Sequence, residues 1–274
     1  MSDFEFDLNE VEETPADEAP DGTPISELEQ WADAQLSDKA NSHEPAYFDI
    51  ETGPRPDEEL KAVYREKTEQ EFADTCDKRW KADTVAAKYA EYKVNAWQEF
   101  VNKAALSPTT GRVLLTGILR HGDLHFLDAD SEADNLRTFW ADIEVLLIDK
   151  VPIIGHNSNG FDLPFMVRRS WLLGVMVPRE VRQGRYWNPL FRDTMEWWNC
   201  GARDYVKLNA IAGFFGVGQK TEGFKGGDFS ELWFGQMPVE QWGTPAEQRA
   251  KALEYNGQDL RLTALIAARM GMVS

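Results

Sequence analysis

The run PAYFDIETGP contains two carboxylates, Asp49 and Glu51, that alternate with apolar residues. Such alternation is typical of a β-strand, in which residues i and i+2 project from the same face. Two like charges this close repel each other unless a cation lies between them. Carboxylate oxygens are the ligands that Mg²⁺ and Mn²⁺ prefer. The pair is therefore either a candidate metal site or the solvated end of a strand.

Two further stretches contain one candidate acid each. In GHNSNGFDLPFM, Asp162 begins a predicted helix, where it serves as an N-cap or reaches the neighbouring strand. In LEYNGQDLRL, Tyr255 and Asp259 are four residues apart and share one face of a predicted helix. Because such a pair is also common in purely structural helices, each stretch alone is weak evidence. If they converge with the first strand, the four carboxylates form a cage for divalent cations.

The elements that must position these residues alternate between strands and helices. The hydrophobic periodicity predicts a first strand at 46–51 and then two helices within an insertion at 57–105. A second strand at 111–120 and a hairpin partner in HGDLHFLDA follow. Helices are predicted in SEADNLRTFWADIEVLL, DLPFMVRRSWLLG, KLNAIAGFFGV and the closing segment from TPAEQR, and strands in VPIIGHN and FRDTMEWW. This order predicts an α/β fold with a helical insertion after the first strand.

The three motifs resemble, in their order and in their elements, those of the DEDD family of 3′–5′ exonucleases. The first is DxE on a strand, the second has the form NxxxFD, and the third is YxxxD. The NxxxFD form resembles the proofreading domain of family B DNA polymerases, and ALSPTTGRVLLTGI also resembles stand-alone exonucleases of that kind. The position five residues before the last acid is Glu254 rather than His, so Tyr255 indicates the tyrosine (DEDDy) subclass. The resemblance extends over about residues 46–272 and covers the insertion only in part.

The resemblance implies an RNase H-like mixed sheet flanked by helices, and a function. The function is metal-dependent hydrolysis of nucleic acid from 3′ ends, preferably of single-stranded DNA, with release of nucleoside 5′-monophosphates. Two divalent cations, Mg²⁺ or Mn²⁺, are the implied cofactors. By resemblance, Asp49 bridges both ions, Glu51 and Asp259 complete the site of the attacking water, and Asp162 reaches the second ion through water. Tyr255 orients the water, because a phenol with a pKa of about 10 is a poor base at neutral pH.

Candidate substrate-binding residues lie beside the motifs and in an arginine-rich segment. Single strands are bound by basic grooves with stacking aromatic rings. Arg182 and Arg185 lie close to Tyr186 and Trp187, and the alternative is an ordinary solvated surface. The other candidates could contact the 3′-terminal nucleotide, although a turn or core packing explains some of them equally well: Thr52, Gly53, Asn157 and Phe161.

The formal net charge of −18 is concentrated at the N-terminus. Residues 1–45 contain 14 acidic side chains and one lysine, which leaves a net charge of −5 for the rest. We expect residues 1–43 to be a disordered acidic tail and residues 44–274 to be the exonuclease domain. Within the tail, PISELEQWADAQL predicts a helix that packs on its own domain or docks a partner protein.

Other features exclude several protein classes. The sequence has no apolar run long enough to span a membrane and no secretory signal pattern. Cys76 and Cys200 form neither a disulfide framework nor a CxxC pair, so we expect a cytoplasmic protein. An RNA 3′ exonuclease, and a non-catalytic binding or interaction protein with the same fold, remain alternatives. Roles in DNA repair or in proofreading for a separate polymerase are also open.

Overall fold

The structure is a computed structural model that describes residues 44–218 and 229–273. The predicted tail at 1–43, including the helix in PISELEQWADAQL, lies outside the described residues. Among the helices that are described, none combines the length and the hydropathy that a membrane span requires.

The described strands form a five-stranded mixed sheet and a separate two-stranded hairpin. The strands are β1 (Ala46–Pro54), β2 (Gly111–Arg120), β3 (Asp123–Leu127), β4 (Ile153–Gly155), β5 (Arg182–Gln183), β6 (Tyr186–Trp187) and β7 (Phe191–Asp193). Their order in the sheet is β3-β2-β1-β4-β7, and β5 pairs with β6 in a separate hairpin. β1 is antiparallel to β2 and parallel to β4, and β4 is parallel to β7. The first strand, which bears two candidate acids, is therefore central.

Helices cover both faces of this sheet. They are α1 (Asp57–Val63), α2 (Glu69–Ala73), α3 (Ala82–Ala104), α4 (Glu132–Ile148), α5 (Asp162–Leu172), α6 (Thr194–Asn199), α7 (Leu208–Phe215), α8 (Phe229–Trp233), α9 (Val239–Trp242) and α10 (Pro245–Arg269). The mixed α/β architecture predicted from the sequence is confirmed. The insertion contains three helices in place of the two that were predicted.

The alternation along β1 divides the core between the two faces. Phe48 and Ile50 project into a cluster with Phe139 of α4 and Phe165 of α5. Tyr47 projects to the opposite face and packs against Leu260 and other residues of α10. Asp49 and Glu51 have the parity of Tyr47, so they share the α10 face. The local sequence pattern thus directs both acids towards the last helix.

The helix termini explain two differences from the sequence predictions. FRDTMEWW forms only a three-residue strand, because the Asp193 side chain caps α6 by accepting from the backbone N–H groups of Met195 and Glu196. Asp162 is the first residue of α5 and not its N-cap, which is Phe161. α10 begins as predicted at TPAEQR, where Thr244 and Glu247 form a capping box.

Candidate active site

Three carboxylates from the two ends of the chain converge between β1 and α10. Asp49, Glu51 and Asp259 each offer a carboxylate oxygen, and these oxygens all lie within 4.8 Å of one another. Asp49 is half-buried, whereas only 8% of Asp259 is exposed. Such a group of like charges is electrostatically unfavourable by itself and becomes favourable around a cation. Hard oxygen donors of this kind fit Mg²⁺ or Mn²⁺.

A glycine on the neighbouring strand lets the last helix come this close. Asp49 lies opposite Gly117 in the β1–β2 register. A Cβ atom on Gly117 would lie 1.9 Å from Asn256 Oδ1 and 2.7 Å from Leu260 Cδ1, both on α10. Any larger residue would force these two side chains of α10 to move, including the carboxamide of Asn256. The missing side chain at this position therefore helps to assemble the acidic cluster.

Asn256 is a residue of the site that the sequence reasoning missed. Its Nδ2 donates a 2.8 Å hydrogen bond to Asp49 Oδ2, and the residue is fully buried. The signal was present in the sequence: Ala252, Asn256, Leu260 and Ala264 repeat every four residues along one buried stripe of α10. A buried polar residue in such a stripe indicates a specific partner.

Asp162, the fourth predicted carboxylate, is not a member of the three-carboxylate cluster and contacts the backbone of β1. Its Oδ1 accepts a 3.0 Å hydrogen bond from the Ile50 N–H group, between Asp49 and Glu51 in the chain. Burial raises the pKa of Asp162 to about 7, and the charge of Asp193 adds to the rise, while the Ile50 N–H and its own N–H oppose it. The contact connects the first turn of α5 to the strand that bears the acids.

Tyr255 lies on α10 one turn before Asp259, as its spacing predicted. The ring is half-buried and packs in an apolar cluster with Leu115 and Phe229, whose ring centroid lies 6.2 Å away. This packing holds the ring in one position. The phenol is therefore carried by the same rigid helix that carries Asp259 and Asn256.

The chain that follows the DxE motif is bent and tightly packed. The β1–β2 register shifts between Glu51 and Thr52, which marks a β-bulge or similar irregularity. Thr52 is half-buried, whereas Gly53 is buried. A Cβ atom on Gly53 would lie 2.6 Å from Leu114 Cδ1, so on that side the space beside the glycine is already filled.

The loop before Asp162 is held by a second buried carboxylate, which the sequence reasoning also missed. Asp193 accepts hydrogen bonds from the backbone N–H groups of Asn157 and Asn159, both at 2.9 Å. Asn157 adopts a positive φ of 57°, a conformation that asparagine tolerates better than most residues. Burial raises the pKa of Asp193, and its backbone hydrogen bonds oppose the rise. Phe161 packs on Phe165 at a centroid distance of 5.5 Å, within the core.

The two candidate arginines lie on the β5–β6 hairpin and are exposed. The Arg182 guanidinium lies 5.4 Å from the ring centroid of Trp187, and that of Arg185 lies 4.7 Å from the ring of Tyr186. Trp187 Nε1 donates a 3.0 Å hydrogen bond to the Asn159 carbonyl oxygen. The hairpin is thereby attached to the loop that leads to Asp162.

A family model described as RNase H superfamily matches residues 103–271. The chain belongs to the RNase H superfamily. The RNase H-like fold expected from the sequence is thus confirmed, and this family generally contains hydrolases that act on nucleic acids. The matched segment includes Asp162, Tyr255 and Asp259, and β1 with its two acids lies before it.

Among solved structures, a family B DNA polymerase from the hyperthermophilic archaeon Pyrobaculum calidifontis is similar to this RNase H superfamily chain. The sequences are 20% identical and the TM-score is 0.49. The similarity covers 82% of this chain and 24% of the polymerase, so the chain spans about a quarter of that protein's length. No curated protein matches the sequence.

Proposed function

We propose that this protein is a metal-dependent 3′–5′ exonuclease that releases nucleoside 5′-monophosphates, with single-stranded DNA as its preferred substrate. The observation that carries the proposal is the convergence of Asp49, Glu51 and Asp259 within 4.8 Å in a chain of the RNase H superfamily. Asp49 and Asp259 come from opposite ends of the domain and meet on two adjacent elements. Such a costly grouping of buried charge is typical of a catalytic metal centre.

The donor set fits the proposed pair of Mg²⁺ or Mn²⁺ ions, because every donor is a carboxylate oxygen. We assign Asp49, Glu51 and Asp259 as the central ligands and Asp162 as a fourth carboxylate beside them. Divalent ions bound here would neutralise charge on the phosphate and lower the pKa of water.

In this proposal, Asp162 and Tyr255 hold the strand that bears the acids and the attacking water in position. Asp162 connects α5 to the backbone of β1 through the Ile50 N–H group, and this hydrogen bond helps to position the strand that bears Asp49 and Glu51. Tyr255 orients the attacking water through a neutral phenol, and its ring is fixed against Phe229. The hydrolysis leaves the phosphate on the released nucleotide and a new 3′-hydroxyl on the shortened strand.

The β5–β6 hairpin is proposed to bind the nucleic-acid strand. Arg182 and Arg185 offer exposed guanidinium groups for phosphates, and Tyr186 offers an exposed ring for base stacking. Thr52 and Asn157 are proposed to contact the terminal nucleotide. Gly53 and Phe161 contribute to the shape of the same region through their packing.

Residues 44–274 are proposed as the exonuclease domain, with residues 1–43 as an acidic tail that a partner protein recognises. Removal of nucleotides from 3′ ends would serve DNA repair or proofreading.

A degradation assay tests the proposed function. Single- and double-stranded DNA and RNA, each with a 5′ label, are incubated with the protein in Mg²⁺, Mn²⁺ or a chelator. We expect a ladder of products shortened from the 3′ end, with single-stranded DNA degraded fastest and the chelator abolishing the reaction. Faster degradation of RNA would reassign the substrate. Tight binding of the oligonucleotides without degradation, in either metal, would indicate a binding module and contradict the proposal.

A further inference from the structure

Asn256 donates a hydrogen bond to Asp49, one of the three carboxylates of the acidic cluster. We propose that it is the positioning residue of the metal centre, and that its carboxamide fixes Asp49 in the orientation in which a divalent cation binds. The inference rests on the proposed function, because it requires that Asp49 is a metal ligand. Asn256 occupies one of the unspecified positions of the YxxxD motif, between Tyr255 and Asp259.

The geometry determines which way the carboxamide points. Asn256 Nδ2 lies 2.8 Å from Asp49 Oδ2, so an N–H group donates to the carboxylate. The opposite orientation would place the amide oxygen against a carboxylate oxygen, and two acceptors at that distance repel. Asn256 therefore presents a donor to Asp49, and the hydrogen bond is charge-assisted.

The burial of Asn256 argues for a function beyond packing. The residue is fully buried, and its Oδ1 has no hydrogen-bond partner among the residues that the structure describes. Burial of a carboxamide with one end unpaired costs free energy, which an alanine or leucine would avoid. Such apolar residues occupy the neighbouring positions of the same stripe, at Ala252 and Leu260. The polar residue lies at the one turn of the stripe that faces Asp49.

Gly117 completes the arrangement from the opposite strand. It pairs with Asp49 in the β1–β2 register, and a Cβ atom there would lie 1.9 Å from Asn256 Oδ1. Contact that close is impossible, so any other residue would displace the carboxamide from Asp49. The glycine and the asparagine thus act together on one carboxylate, from the sheet and from the helix.

Residues that orient a metal ligand usually change metal affinity or activity by about 10–100-fold when they are removed. The test is a Mn²⁺ titration of the full chain, in which electron paramagnetic resonance measures free Mn²⁺. We expect Asn256→Ala to weaken Mn²⁺ binding by about 10–100-fold. Added Mn²⁺ should then restore much of the exonuclease activity, which simple loss of packing would not allow.

Gln248 provides a matched control on the same helix. It is also a fully buried carboxamide, but it bonds the backbone of Met237 and Gly243. Gln248→Ala should lower the thermal stability and leave the Mn²⁺ affinity of the folded protein within about twofold of the wild type, because no metal ligand loses a partner. An equal loss of Mn²⁺ affinity in both variants would assign Asn256 a purely structural role and overturn the inference.

A second variant keeps the test decisive if Asn256→Ala fails to fold. Asn256→Ser retains a small polar residue whose hydroxyl is too short to reach Asp49, and it should show the same weakening. Wild-type affinity in a folded Asn256 variant overturns this inference alone, while the proposed function stands. If the wild-type protein binds no Mn²⁺, the metal centre fails and this inference fails with it.

Discussion

The acidic cluster and the insertion at 57–105 are stabilised in opposite ways. At the cluster, partners such as Asp49 and Asn256 are 207 positions apart in the chain and meet in a buried environment. In the insertion, ion pairs such as Lys103–Glu99 and Arg79–Asp77 join residues two to four positions apart on an exposed surface. Surface pairs contribute little to stability, whereas buried polar groups tolerate few changes. We therefore expect substitutions to have large and specific effects at the cluster and small effects in the insertion.

The largest effect is expected at the centre of the acidic cluster. Asp259→Asn keeps the size of the side chain and removes one ligand charge, so the exonuclease rate should fall by about 10³-fold or more. The thermal midpoint in a chelator should not fall, because one of three mutually repelling charges is gone. Oligonucleotide degradation and thermal unfolding measure the two quantities. Full activity would remove Asp259 from the metal centre.

The ion pair between α4 and α5 is buried, so its loss should lower the free energy of unfolding more than the loss of an exposed pair in the insertion. The Arg169 and Glu132 side chains are 4% and 12% exposed, and two hydrogen bonds of 2.8 and 2.6 Å join them. Arg169→Ala leaves Glu132 without its cation, and should lower the free energy of unfolding by about 3–5 kcal/mol. Arg79→Ala, which breaks an exposed pair, should leave it unchanged in the same denaturant titration. Similar losses in the two variants would contradict the comparison.

A substitution at Tyr255 separates orientation of the attacking water from packing of the ring. Tyr255→Phe removes only the hydroxyl and keeps the ring that packs against Phe229. We expect a rate reduced by about 10–100-fold with an unchanged thermal midpoint, because a positioning role contributes less than a metal ligand. A rate equal to that of the wild type would exclude the hydroxyl from the reaction.

The exposed hairpin should show the smallest effect. Arg182→Ala combined with Arg185→Ala removes two cations that no buried contact requires. If each contacts one phosphate, the slope of log affinity for single-stranded DNA against log salt should become shallower by about 1.4. Fluorescence anisotropy across a salt series measures the slope, and Lys103→Ala in the insertion is the matched control. An unchanged slope would place the bound strand elsewhere.

The features that depend only on residues close together in the sequence were predicted best. The β1 alternation predicted Asp49 and Glu51 on one face, and the segment from TPAEQR was predicted as one or two closing helices, which the structure shows as the single helix α10. The β2–β3 hairpin was also predicted, and the structure places its turn at His121 and Gly122, both of positive φ. The helices of the insertion were harder to predict from the sequence, because the five-residue α2 is too short to produce a clear helical period.

The positions of single polar partners could not be read from the pattern. Asp193 ends a three-residue strand, and nothing in FRDTMEWW distinguishes an acid that caps α6 and holds the Asn157 loop from a solvated one. Asn256 interrupts an apolar stripe, but its partner depends on how closely α10 approaches the sheet. That approach depends in turn on a glycine 139 positions earlier, at Gly117.

The sequence by itself determined the candidate acids, the elements that carry them, the order of the three motifs and the α/β class. These follow from side-chain chemistry and from the two periods of backbone structure, both of which are local properties. Tertiary structure alone decided that Asp49, Glu51 and Asp259 meet within 4.8 Å, and that Asn256 donates to the first of them. The physical reason is that these distances depend on strand register and on helix-to-sheet packing. Both are set by the whole core rather than by any one segment.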